Sequence, residues 1–490
     1  MKKLRESTKF MTFTSQESLD PADWDSLREQ GHCMLDDMID YLRALEQRPV
    51  WQPIPDLVRA SLREPLPRAG SELSEVHQIF MRQILPYAVG NAHPGFFGWV
   101  HGGGTAVGML AEMLAAGLNA NLGGRDQMPV ELELQVARWM AALFGFPDTA
   151  SGLFVTGTSM ANMIALLVAR RRALGPEVRR QGIGWGNRLV AYTSSSAHGC
   201  IAQAMDLAGL GTAALRTVPV NESFEMDTTA LEAAIVEDRA AGRVPFMVCA
   251  TAGTVDVGAV DDLAAVSAVC QRHGLWFHVD GAYGALAMLS PQLAGRLDGI
   301  QQADSIAFDF HKWGQVPYDA GFVLVRDSEM HQQTFALPTA YLRRDERGMA
   351  AGSPWPCDFG PDLSRGFRAL KTWFTLKVYG SDRLGEVIAA TCALARYLAQ
   401  QVAARPALEL MAPVSLNIVC FRHRGVDADS LNAALVADLQ ESGVAAPSLA
   451  NINGQLAIRV AVVNHRSGER HIDALLVALE ELAQARLAAQ

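Results

Sequence analysis

Residues 275–284 read LWFHVDGAYG and residues 304–314 read DSIAFDFHKWG. Each contains an almost unbroken apolar run of strand length that ends in polar residues. A strand with apolar side chains on both faces belongs to a sheet covered on both sides, which favours a parallel sheet between layers of helices. Outward from these two, the text from 150 to about 330 alternates similar runs with helical periodicity. Strands are predicted at 153–156, 189–193, 215–218, 246–251, 275–280, 305–308 and 321–325. Helices are predicted at about 160–174, 198–208, 228–240 and 261–273. This alternation predicts an α/β fold with a mostly parallel seven-stranded sheet.

The flanks read differently. Residues 1–20 are polar and expected to be flexible. Residues 21–105 form a helical N-terminal segment, with Asp23 or Asp25 placed to cap a helix carrying Met34, Met38, Leu42 and Leu45. Pro49, Pro53 and Pro55 break it, a second helix is predicted at 72–86, and GNAHPGFFGWVHGGG (90–104) reads as a loop with close backbone approaches. Helical patterns at 106–117 and 129–144 open a large domain, 106–378. Within it 327–366 is irregular, and a loop that long in a compact domain is usually functional. A helix at 367–403 leads into a small α+β C-terminal domain, 379–490, read as strand 415–421, helix 428–441, strand 456–463 and helix 470–488.

Composition narrows the function. The 490 residues are 49% apolar and 19% charged, which excludes disordered and fibrous classes. A net charge of −10 offers no broad positive field, so neither nucleic acid nor an anionic membrane is the expected partner. The seven cysteines (33, 200, 249, 270, 357, 392, 420) are odd in number and form no CxxC pair. They read as free thiols in a reducing compartment, with no disulfide frame and no metal site. No long apolar run follows Lys2, Lys3 and Arg5, and the apolar stretches 96–122 and 246–270 are interrupted by His101 and Glu112 and by Asp256, Asp261 and Asp262. Neither a signal peptide nor a membrane span is expected, and the protein is predicted to be cytoplasmic. Lysine occurs only at 2, 3, 9, 312, 371 and 377, every other basic residue being Arg. Arginine cannot form a Schiff base and a desolvated lysine can, so Lys312 stands out.

Two hydrolase signals fail on context. GTSMA (157–161) matches the nucleophile string of subtilisin-like proteases, and HGGG (101–104) the oxyanion string of some lipases. No G-x-S-x-G elbow occurs, and His198-Gly199-Cys200 follows Ser159 where a protease needs its histidine first.

Four other pieces fall at strand ends of the α/β region, where such sheets place ligands. TGTSMAN (156–162) puts Thr158 and Ser159 at a helix N-terminus, an anion site suited to phosphate. SSSAHGC places His198 at a helix start, able to stack on a planar ring or act as acid or base. LWFHVD ends in Asp280, a buried carboxylate that requires a cationic or hydrogen-bonding partner such as a protonated pyridine nitrogen. FDFHKWG places Lys312 between His311 and Trp313, where desolvation favours its neutral form. A phosphate cradle, a ring-stacking His, an Asp for a ring nitrogen and a Lys for an aldehyde together match pyridoxal 5′-phosphate (PLP).

HVDGAYG and FDFHKWG, with TGTSMAN and AYTSSSAH upstream, resemble the group II PLP-dependent amino-acid decarboxylases of the aromatic-amino-acid and glutamate decarboxylase type. The likeness spans roughly 25–488, including the HPGFF loop, RGFRALKTW and LAIRVAVVNHR. It implies PLP fold type I, the aspartate-aminotransferase-like fold, and a homodimer. It also implies a carboxy-lyase of amino-acid and carboxylic-acid metabolism acting on a small-molecule amino acid. By the same resemblance Lys312 forms the Schiff base, Asp280 pairs with the ring nitrogen and Ala282 packs under the ring. His198 stacks over the ring, Thr158, Ser159 and His311 hold phosphate, and Thr254 lies near the ring's 3-oxygen. Trp99, Val100 and His101 would line the substrate pocket, with an aromatic amino acid preferred over glutamate, aspartate or diaminobutyrate. The sequence departs from the family at Met160, where Glu is usual, and at Asp309-Phe310. It departs also in the loop before RGFRALK, where Trp355-Pro356-Cys357 stands in place of a proton-donating Tyr and Tyr341 lies upstream. Related aldehyde synthases lack that Tyr and convert amino acid, O₂ and water to aldehyde, CO₂, ammonia and peroxide. Amine formation is the expectation, aldehyde formation its alternative, and His198 is a further candidate proton donor.

Overall fold

A computed structural model describes residues 18–184, 188–337, 345–425 and 427–488. The chain divides into two compact units. The first holds the described residues up to Leu45 together with Pro53–Ala88. Its helices are α1 (Trp24–Arg43), α2 (Asp56–Ser61) and α3 (Leu73–Ile79). Asp23 caps α1 by accepting from the N–H groups of Asp25 and Ser26. The expected helix at 72–86 is α3 continued by a π turn, Phe80–Ile84, and a 3₁₀ turn, Leu85–Tyr87. None of the residues of α1, α2 or α3 is fully buried.

The second unit opens with α4 (Ala106–Leu118) and α5 (Met128–Leu143). Then β1 (Ser151–Val155), α6 (Thr158–Leu174), α7 (Val178–Gln181), β2 (Leu189–Ser194), α8 (Cys200–Leu207) and β3 (Leu215–Val218) follow. Next come α9 (Thr228–Ala240), β4 (Val244–Thr251), α10 (Leu263–His273), β5 (Trp276–Asp280), β6 (Ser305–Asp309) and β7 (Gly321–Val325). The seven strands form one sheet in the order β1-β7-β6-β5-β4-β2-β3, with β7 alone antiparallel to its neighbours. The expected mostly parallel seven-stranded sheet is present. Successive strand residues point to opposite faces. Accordingly Phe277 and Val279 feed one core cluster, with Phe154, Phe308 and Phe322, while Trp276 feeds another with Leu153, Met247 and Val323. Each fully buried side chain of this size contributes roughly 1.5–3 kcal/mol.

After α11 (Ser328–Phe335), α12 (Arg368–Tyr379) and α13 (Ser381–Ala403) come β8 (Leu408–Leu410), β9 (Ile418–His423), α14 (Ala428–Ser442), β10 (Ser448–Ile452), β11 (Gln455–Ala461) and α15 (Glu469–Ala488). The last four strands make a separate antiparallel sheet, β10-β11-β9-β8, covered by a core that includes Leu398, Phe421, Leu435, Ile458 and Leu475. The helix expected at 367–403 is two helices, because Gly380 at φ +78° turns the chain between them. Five elements were not expected, among them the short helices α2 and α7. β8 has three residues, β10 alternates buried and exposed positions through Ser448 and Asn451, and α11 starts on the side-chain cap of Asp327 within the stretch read as irregular.

Candidate active site

Strands β1, β4, β5 and β6 run the same way, so their C-terminal ends meet at one edge of the sheet. The segments leaving those ends surround a cavity of about 400 Å³, within the range of small-ligand sites. Thr158, Ser159, His198, Asp280, Ala282, His311 and Lys312 all line it, as do Trp99, Val100 and His101.

One end is built for an anion. Gly157 precedes α6, and Thr158 and Ser159 form its first turn, where N–H groups lack intrahelical partners and the helix dipole is positive. Close packing holds this turn: a Cβ on Gly321 would collide with the backbone of Gly157. His311 accepts from the Ala320 N–H through Nδ1 at 2.9 Å, so Nε2 is left to carry the proton of the neutral ring. Burial lowers the His311 pKa. Lys312 Nζ lies 3.1 Å from Asp309 Oδ2, and His311 Nε2 lies 3.6 Å from the same oxygen.

The middle of the cavity holds Asp280, 3% exposed. Its Oδ2 accepts from Asn162 Nδ2 at 3.0 Å and its Oδ1 from the Ala282 N–H at 3.1 Å. Burial raises its pKa, and the nearby Lys312 charge opposes that shift. Burial also pushes the adjacent Cys200 thiol up to about 12, with the Asp280 charge adding to the effect. His198 accepts from the Cys200 N–H through Nδ1 at 3.1 Å, which leaves Nε2 as its proton-bearing nitrogen when neutral.

The outer wall is aromatic. The His101 ring clusters with Phe96 and Trp99, 5.7 Å from each while those two are 6.2 Å apart, and meets Tyr318 edge-on at 5.8 Å. Trp99 has φ +48°, and Arg459 donates to its carbonyl at 3.0 Å. Gly102 lets this loop lie against the lysine segment: its N–H donates to the His311 carbonyl, and a Cβ there would collide with the carbonyls of His311 and Lys312. Burial, then the Lys312 charge, lowers the His101 pKa.

Thr254 corrects an expectation. It does not line the cavity. Its Oγ1 accepts from the Ala259 N–H at 3.0 Å, closing the turn 254–259. Gly253 at φ +93° starts that turn, and Val255 takes the place on the wall. Trp355, in the stretch aligned with the family's loop Tyr, is buried against Gly124 and does not line the cavity either. Tyr341 lies outside the described residues.

Sequence reading did not assign Asn162, Thr251, Asp309 or Tyr318 to the site. Asp309 carries a usable signal, since it ends an apolar strand as Asp280 does. Four buried side-chain oxygens of residues lining this one cavity have no hydrogen-bond partner among the described residues: Thr158 Oγ1, Thr251 Oγ1, Tyr283 Oη and Asp309 Oδ1. Buried polar atoms are nearly always satisfied. Three unpartnered hydroxyls, a helix N-terminus, a buried carboxylate and a lysine amine fit a ligand with a phosphate, polar ring substituents, a ring cation and an aldehyde. Pyridoxal phosphate has all four.

Comparison with known proteins agrees. Residues 55–424 match the pyridoxal-dependent decarboxylase conserved domain. The chain is similar to the aromatic-L-amino-acid decarboxylase of Bacillus atrophaeus, 32% identical over 471 residues that cover 94% of this chain and 96% of that one. Its fold is similar to Oryza sativa TDC crystallised with PLP and tryptamine, at TM-score 0.87 and 26% identity over 96% of this chain and 100% of that one. It is similar also to the 4-hydroxyphenylacetaldehyde synthase of Rhodiola rosea, at TM-score 0.85 and 27% identity over 95% and 99% of the two chains. On the strength of the domain match and the fold, the chain belongs to the pyridoxal-dependent decarboxylases, PLP-dependent carboxy-lyases of fold type I.

Proposed function

We propose that this protein removes the α-carboxylate of an aromatic L-amino acid and releases the amine, working as a homodimer in the cytoplasm. The observation that carries the substrate class is the wall beside Lys312. Trp99, His101 and Tyr318 present rings there, and Lys312 is the sole Lys or Arg among the described residues lining the cavity. A glutamate or aspartate side chain would need a cation of its own, whereas an aromatic one gains from ring contacts.

Bound PLP supplies an aldehyde for an amine and, with its ring nitrogen protonated, a sink for the electron pair left by the departing CO₂. The chain's own groups do the rest. Thr158, Ser159 and His311, which line the cavity, would anchor the phosphate end. Asp280 would hold the proton on the ring nitrogen, and Ala282 and His198 would contact the ring. Lys312 Nζ would form the covalent link to the aldehyde and give it up to the substrate amine. His198 Nε2 would deliver a proton to Cα.

A second reading rests on the loop before RGFRALK. Trp355-Pro356-Cys357 supplies no hydroxyl to the cavity, and the Rhodiola neighbour is an aldehyde synthase. One experiment separates the two. The PLP-loaded protein is incubated in air with a panel of L-amino acids, products are identified by mass spectrometry and peroxide is assayed. An aromatic amine without peroxide is the expected result. Aldehyde with peroxide would establish the second reading, and turnover of glutamate or aspartate alone would overturn the substrate class.

A further inference from the structure

Behind Asp280, four buried side chains form a file that does not reach the cavity. Trp276, His278 and Asp280 alternate along β5 and so share one face of the strand. Ser305 stands opposite His278 on β6, and Asn162 lies in the opening turns of α6. Trp276 Nε1 is 2.8 Å from Ser305 Oγ, and Ser305 Oγ is 2.8 Å from His278 Nδ1. His278 Nε2 is 2.8 Å from Asn162 Oδ1, and Asn162 Nδ2 is 3.0 Å from Asp280 Oδ2. All five residues are 3% exposed or less.

Chemistry fixes the direction of every bond. An indole N–H can only donate, and an ionised carboxylate can only accept. Asn162 therefore turns its NH₂ to Asp280 and its oxygen to His278, whose Nε2 must donate. A neutral imidazole has one proton, so Nδ1 accepts and the Ser305 hydroxyl donates. Every hydrogen points toward Asp280, and such chains strengthen one another in a dry interior. At the far end the Arg172 guanidinium sits 5.6 Å from the Trp276 ring, a cation at the negative pole of the file. The second N–H of Asn162 is taken up by Cys200 Sγ at 3.2 Å, which fixes the amide plane.

We propose that Trp276, Ser305, His278 and Asn162 are positioning residues whose one-way hydrogen bonds keep Asp280 ionised and aimed, and so keep the shared proton on the cofactor's ring nitrogen. The proposal rests on the reading of Asp280 as the partner of that nitrogen. A single proton lies between the two groups. A carboxylate buried this deeply would otherwise take it, and a donor file that stabilises the anion returns it to the ring.

The test uses reconstituted holoenzyme carrying PLP enriched in ¹⁵N at the ring, with the nitrogen shift reporting its protonation. In His278→Leu the nitrogen signal is expected to move toward the unprotonated position, and kcat to fall about tenfold with KM within about twofold, the scale of a lost hydrogen bond to a charged group. His278→Gln, which can still donate to Asn162, should recover the signal. Trp276→Phe should shift it less and in the same sense. Should His278→Leu fail to fold with cofactor, Ser305→Ala and Trp276→Phe decide the matter. A folded variant with lower thermal stability and an unchanged nitrogen signal would make the file merely structural and overturn the proposal. Asp280→Asn separates the premises: if it too leaves the signal unchanged, the assignment of Asp280 is what fails.

Discussion

Lys312 is one of six lysines in a chain that otherwise carries its positive charge on Arg, and its amine sits 3.1 Å from Asp309, the last residue of β6. Replacing it tests the covalent link directly. Borohydride treatment of the PLP-loaded wild type should fix the cofactor to the peptide containing Lys312. Lys312→Ala should take up no borohydride-stable label and lose at least about a thousandfold in turnover. Label on another lysine in that variant would move the site. Lys312, Asp280 and the Thr158-Ser159 pair were legible in the sequence because each couples a special side chain to the end of a recognisable element. Asn162, Thr251 and Tyr318 were not, since their nearness to the site depends on how α6, β4 and the segment after His311 fold together. Thr254 shows the limit of a local reading: one glycine at positive φ rotates the chain, and the hydroxyl expected beside the ring closes a turn instead.

At the scale of elements, the sheet was legible strand by strand because burial on both faces leaves continuous apolar runs. The small domain was less so, as β8 and β10 are short or half polar. The RGFRALKTW stretch was recognised by resemblance, and packing explains its arginine. Arg365, 4% exposed, donates to Glu133 Oε1 at 2.5 Å, to the Phe154 carbonyl at 2.8 Å and to the Leu122 carbonyl at 2.9 Å. Glu133, 1% exposed, also accepts from the Phe154 N–H at 3.2 Å. The pair therefore ties α5, β1 and the chain entering α12 into one clasp. Removing one partner leaves a buried charge alone, so Arg365→Met should cost about 3–5 kcal/mol in denaturant unfolding. Arg365→Met combined with Glu133→Leu should recover part of that loss. A double variant as unstable as the sum of the two singles would mean the ions do not act as a pair.

For the whole molecule, two consequences follow from what is buried and what is not. Burial pushes His278 and His331 down to about 3 and His465 down to about 4. In the unfolded chain these rings protonate near 6.5. Between about pH 6.5 and about pH 3 the unfolded state therefore binds more protons, and stability falls as pH falls, by about 1.4 kcal/mol per pH unit for each histidine. Above that window they add no slope. His331→Gln should flatten the dependence of the unfolding midpoint on pH by about one proton, and an unchanged slope would show that His331 does not titrate on unfolding. The second consequence concerns apolar surface left open. In the first unit Trp24, Leu57, Leu62 and Leu66 are 60–85% exposed, and in the second α4 exposes Met113, Leu114 and Leu118 by 51–59%. Such faces mark association sites more often than free surface. A second copy of the chain is the occupant the family resemblance implies, so light scattering should give about twice the 52.9 kDa chain mass. Leu114 and Leu118 are more than half exposed in a single chain, so Leu114→Glu with Leu118→Glu should leave circular dichroism unchanged. If α4 lies in the interface, burying two unpaired carboxylates there should halve the measured mass. A variant that keeps both its fold and the doubled mass would place the dimer contact elsewhere.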